Sequence, residues 1–116
     1  MIILEIRMTV LPQKQMEFLQ SYLTAIPRVR KQPGCIRCTL SRDMEDGNSF
    51  ILTGEWQTQE ALDAHIRSEQ FGILMAAADV LGEQREVQMN TIAHTEGMEA
   101  IRPLRQKDRL REDKSQ

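Results

Sequence analysis

Few residues in this chain of 116 have side chains and spacings that could do chemistry. The first is the pair in Cys35-Ile36-Arg37-Cys38, the spacing of redox and metal-binding thiols. A redox pair normally opens a helix, whose N-terminus stabilises the thiolate, and a structural zinc site needs a second pair of ligands. These two cysteines instead fall in a strand-like stretch, where positions three apart point to opposite faces, and the chain has no other cysteine. Reduced thiols and no metal site are the expectation. The second is His65, whose ordinary titration near neutrality suits a general base. The competing role is a half-exposed histidine paired with Glu69, four residues on in a helix. Trp56, at the end of an apolar alternation, gives area and shape to a core whatever the chemistry around it. Tyr22 could donate a proton to an oxyanion, or sit in the core with its hydroxyl at the rim. Arg7 and Arg37 could attract an anion, but as sheet residues they are expected to pair with Glu5, Glu55 or Glu86. His94 lies where the chain leaves the domain and is given no role.

The elements that must position these groups can be read from periodicity. Ile2, Leu4, Ile6, Met8 and Val10 alternate through a first strand with one fully apolar face. Pro12 ends it and starts a helix. Met16, Leu19, Leu23 and Ile26 form that helix's expected apolar stripe, with Phe18 and Tyr22 flanking it and Pro27 expected to kink or end it. Pro33-Gly34 makes a turn into a second strand over 35–42, with Ile36, Cys38 and Leu40 on one side. Asp46-Gly47 signals a hairpin into the strand 49–56, whose apolar face is Phe50, Leu52, Gly54 and Trp56. Thr58 caps a second helix, expected to pause near Phe71-Gly72 and to end at Gly82. A last strand alternates Val87, Met89 and Thr91. Met8, Met16, Met75 and Met89 suit either a deformable pocket lining or simple core filling.

The order β-α-β-β-α-β predicts an α+β, ferredoxin-like fold: two helices on one face of a four-stranded antiparallel sheet. Residues 1–93 form the expected domain and 94–116 a charged C-terminal extension. The first part carries 9 basic and 12 acidic residues, the second 6 and 5. The extension is expected to dock on its own domain or on a sister subunit. Ile3, Leu11 and Ile51, with Ile92 as a further candidate, make the other sheet face too apolar to stay wet, so a two-fold dimer placing sheet against sheet is expected. The net charge of −2 offers no electrostatic reason for a nucleic-acid partner, and no apolar run approaches the ~20 residues of a membrane helix. Met1 leads straight into the first strand without a secretory pattern, and the expected location is cytoplasmic.

The stretch Gly54-Glu55-Trp56-Gln57-Thr58-Gln59-Glu60-Ala61-Leu62-Asp63-Ala64-His65 closely resembles the signature of the antibiotic biosynthesis monooxygenase family, of the dimeric α+β-barrel superfamily. The turn Pro33-Gly34-Cys35 and the run Ser68-Glu69-Gln70-Phe71 are similar too. The resemblance covers residues 1–93. It implies a homodimer whose two sheets form a barrel, with a pocket between sheet and helices in each subunit. It further implies a cofactor-free monooxygenase that joins O2 to a small aromatic substrate of the quinol or polyphenol type. Trp56 and His65 match the family's pocket tryptophan and histidine. His65 would be the catalytic base and Trp56 a wall orienting the ring, with Tyr22, Ile6 and Leu52 as further substrate-binding residues. The haem-degrading branch has an asparagine just before an arginine on its first strand. Ile6 before Arg7 departs from that pattern and argues against haem chemistry. Two alternatives stay open: a non-catalytic ligand-binding or stress-associated dimer, and an isomerase of a small oxygenated metabolite using the same His65. Fold alone does not choose among them.

Overall fold

The apolar alternation of the first strand makes it the hub of the sheet. In the computed structural model, which describes residues 1–83 and 85–114 and side chains no further than residue 106, β1 (Ile2–Thr9) pairs on both edges. On one side lies β3 (Ser49–Trp56), on the other β4 (Arg85–Thr91), and β2 (Cys35–Arg42) pairs with β3. The order is β2-β3-β1-β4, antiparallel throughout. The register sets Ile6 opposite Leu52 and Val87, and Leu4 opposite Gly54 and Met89, so the apolar alternations share one face. Three helices cover most of that face: α1 (Pro12–Arg30), α2 (Gln59–Ile66) and α3 (Glu69–Leu81). The architecture is the expected ferredoxin-like α+β fold, with its second helix split in two.

Four local readings are corrected. The break between α2 and α3 falls at Arg67-Ser68, not at Phe71-Gly72, because Ser68 caps α3 by accepting a hydrogen bond from the Phe71 N–H at 3.2 Å. Gly72 is carried inside the helix. The buried face of α1 is Phe18, Tyr22, Ala25, Ile26 and Val29, while Met16 and Leu23 are exposed. Both sets have helical spacing, and the aromatic one wins because Phe18 stacks between Tyr22 and Phe50, with centroids 4.3 and 5.0 Å away. Pro27 neither ends nor interrupts α1 as a helical run; it sits on the exposed side, where the carbonyl it leaves unpaired can meet water. Finally, a bulge between Cys35 and Arg37 turns Ile36 outward and brings Cys35 back to the core side with buried Cys38. The two thiols therefore share a face rather than opposing each other. Both are free, as expected, and burial raises the pKa of each, Cys38 to about 11. Among the described residues no group of metal-ligating side chains is assembled.

The core-side face of β4 is left uncovered: Val87 and Met89 are more than half exposed, as is Met16, so of the four methionines only Met8 and Met75 reach the core. Beyond β4, α4 (Met98–Lys114) joins none of the extensive packing among the other elements. The extension does not dock on its own domain. It is what stretches the chain to 60 × 35 × 20 Å with a radius of gyration of 18.8 Å, against about 13 Å for a compact chain of this size. No helix among the described residues is long and apolar enough to cross a membrane.

Candidate functional site

Trp56 is the last residue of β3 and is fully buried. Its indole folds back over Gly54, where a Cβ would come within 2.9 Å of the ring nitrogen. Glycine two residues before the tryptophan is what lets the ring lie along the sheet. The chain then turns at once into α2, which begins where Thr58 caps it by accepting from the Ala61 N–H at 3.1 Å. Two helical turns later His65 falls back onto Trp56, the rings stacked with centroids 4.5 Å apart and planes 23° apart. Phe71 of α3 meets the imidazole edge-on at 5.2 Å. The short hop from β3 to α2 thus brings these two residues together.

His65 is only 4% exposed. Its partner is not Glu69 but Gln32, just past the end of α1, with Nδ1 2.7 Å from Gln32 Oε1. Gln32 Nε2 lies 3.1 Å from Ser68 Oγ, and Ser68 Oγ is 2.5 Å from the carbonyl of His65. The turn carrying Gln32 is pinned by Gly34, whose left-handed φ of 81° suits glycine and whose missing Cβ would collide with Ala61 of α2. A cavity of about 560 Å³ opens beside this cluster, lined by His65, Gln32, Gly34, Ala61, Ala64 and Ser68. Burial disfavours the charged imidazole and lowers its pKa to about 4, so His65 is neutral at pH 7. The buried Trp56 N–H has no acceptor among the described residues, an arrangement costing about 1–3 kcal/mol.

The other expected wall residues lie elsewhere. Tyr22 is fully buried in the centre of the core, where its hydroxyl donates to the Leu74 carbonyl at 2.8 Å and sits 3.3 Å from Met8 Sδ. Burial raises its pKa, so the phenol keeps its proton. Ile6 and Leu52 face each other across β1 and β3, both nearly inaccessible. None of the three lines the cavity beside His65, and neither does Trp56, which was expected to form its wall and instead lies fully buried against the imidazole. Arg7 and Arg37 pair loosely with Glu5 and Glu55, at 3.9 and 3.8 Å, as sheet residues do. His94 is exposed beside Glu96. Gln32, 33 residues before the histidine it contacts, carries no signal in sequence; Ser68 does, as a cap residue opening an apolar helix.

Comparison with known proteins agrees with this fold. The family model described as antibiotic biosynthesis monooxygenase matches residues 1–77. An uncharacterised protein of Synechocystis sp. is 31% identical over 86 residues, 73% of this chain; the chain spans 58% of that relative's length. A candidate antibiotic biosynthesis monooxygenase from Deinococcus radiodurans superposes with a TM-score of 0.78 at 15% identity, covering 84% of this chain and 97% of that one. SnoaB, a cofactor-independent oxygenase from Streptomyces nogalater solved as a point variant, gives 0.71 at 23% identity, over 81% and 94% of the two chains. At those identities the structural matches speak for the fold. With two thirds of its length matched by the family model, this chain belongs to the antibiotic biosynthesis monooxygenase family.

Proposed function

We propose that the protein is a cofactor-independent monooxygenase of small aromatic substrates of the phenol or quinol type, with His65 as the proton acceptor. The observation that carries this reading is a neutral, buried histidine stacked on Trp56 at the wall of a cavity of about 560 Å³, a volume within the range of small-molecule sites. Family membership and the likeness in fold to a cofactor-independent oxygenase support it.

The chemistry needs no outside reductant because the substrate is one. His65 takes the proton of a ring hydroxyl, and the phenolate passes one electron to O2. The aryloxyl radical and superoxide join, forming a C–O bond at a ring carbon that still bears hydrogen. The imidazolium returns its proton to the peroxide. Loss of that C–H proton then cleaves the O–O bond, so one oxygen stays as a carbonyl and the other leaves as water. In total, a hydroxyarene and O2 become a quinone and H2O. A neutral imidazole that is itself buried suits the first step, since the phenolate and the imidazolium stabilise each other where the local dielectric is low.

The active form is proposed to be a homodimer. Ile3 and Ile51 on the helix-free face and Val87 and Met89 on β4 are apolar surface that a second subunit would cover. A cytoplasmic location fits the two reduced thiols.

The test is oxygen uptake with a panel of hydroquinones and anthrones, comparing the protein with His65→Ala. Saturable uptake reduced in the variant about a hundredfold or more, the usual size of a general-base contribution, is expected. Turnover of a substrate with no O2 consumed would favour the isomerase instead, and uptake unchanged in the variant would make His65 structural.

A further inference from the structure

Ser68, Gln32 and His65 form a closed ring of hydrogen bonds, and the direction of each bond is determined by the one before it. A serine hydroxyl has one hydrogen and two lone pairs. Ser68 gives that hydrogen to the His65 carbonyl, which can only accept, at 2.5 Å. Its oxygen also receives the Phe71 N–H at 3.2 Å. With its hydrogen spent, Ser68 can meet Gln32 only as an acceptor, so the NH2 of the Gln32 amide faces Ser68 at 3.1 Å and the carbonyl oxygen faces the histidine. That removes the usual ambiguity between the two ends of a glutamine side chain. Facing an oxygen that can only accept, at 2.7 Å, the imidazole must carry its hydrogen on Nδ1. In a neutral ring Nε2 is then a bare lone pair, and among the described residues no protein group hydrogen-bonds it.

We infer that Gln32, locked by Ser68, is a positioning residue that fixes His65 as a hydrogen-bond acceptor at Nε2 and so selects ligands presenting a ring hydroxyl over those presenting only a carbonyl or an ether. This rests on the reading that His65 meets the substrate. It goes further by assigning the redox state admitted: a phenol or quinol donates to Nε2, whereas a quinone confronts one lone pair with another. The selection also has a direction in turnover, because a substrate hydroxyl converted to carbonyl loses its bond to His65, which favours release.

Imidazole ¹⁵N NMR at pH 7 on the full chain tests the proton's position without relying on activity, with His94→Gln identifying the two histidines. The expected spectrum shows His65 protonated at Nδ1 and bare at Nε2. Gln32→Leu is expected to move the proton toward Nε2, and Gln32→Glu, which keeps an acceptor there, to hold it on Nδ1. Binding is then read by titration with resorcinol and with 1,3-dimethoxybenzene, which has the same ring without a donor. The folded protein should prefer resorcinol by roughly tenfold, the size of one buried hydrogen bond. That preference should fall in Gln32→Leu and survive in Gln32→Glu. A proton found on Nε2 in the unaltered protein, a tautomer indifferent to Gln32→Leu, or no preference for resorcinol would each overturn the inference. Absence of oxygen uptake with the tautomer and preference as expected would instead remove the oxygenase reading and leave this one standing.

Discussion

His65 holds a base in a state where bulk water can hardly protonate it, and that has a consequence for stability. In the unfolded chain it titrates at the ordinary histidine value of 6.5, and in the fold at about 4. Between those values the unfolded state takes up a proton that the folded state refuses, so stability falls as pH drops through that window and is level above it. A displacement from 6.5 to about 4 corresponds to roughly 3 kcal/mol at most. Urea unfolding followed from pH 7.5 to 4 should therefore show a loss in the unaltered protein that His65→Gln largely lacks; equal slopes for the two would mean that the imidazole titrates normally. In the sequence, the pairing of Trp56 with His65 was legible because both sit on one short stretch of chain. Tyr22 shows the limit: its position on α1 could be read, but not that its hydroxyl is committed to Leu74, 52 residues away.

At the scale of elements, most of what could be read came from period and caps. β1, β3 and the start of α2 stand where alternation and Thr58 put them. What could not be read was decided by contacts from outside each segment. Two helical stripes were available on α1, and only the position of Phe50 on the sheet selects the aromatic one. The bulge at Ile36 arises in the pairing of two strands and is invisible in either alone. Two substitutions test the elements around the site. Ser68→Ala removes the α3 cap and should cost about 1 kcal/mol in denaturant unfolding, and an unchanged midpoint would show that the cap is dispensable. Gly34→Ala puts a Cβ into Ala61 on a left-handed backbone and should cost at least about 1 kcal/mol. A neutral result there would mean that the turn is not held against α2.

At the scale of the whole molecule, the core-side strip of β4 and the stripe of Met98, Ile101 and Leu104 on α4 are apolar surfaces left open, beside Ile3 and Ile51 on the helix-free face. A homodimer should scatter light as twice the 13.4 kDa chain, and a monomer at micromolar concentration would refute the barrel. Removing residues 95–116 should leave one cooperative unfolding transition, since α4 shares little packing with the rest, but weaken the dimer if the tail docks on the partner. Dissociation unaltered by the deletion would refute that docking. The shift in composition near residue 93 could be read, but the free-standing helix beyond it could not, because a charged segment does not say whether it will fold back. Its reach also gives the single chain an outline three times as long as it is thick, 60 Å against 20 Å. Diluted until it is monomeric, such a body would spin about its long axis faster than it tumbles end over end, so backbone ¹⁵N relaxation of the monomer should vary with the direction of each N–H bond. An arm folded down would round the particle and erase that variation.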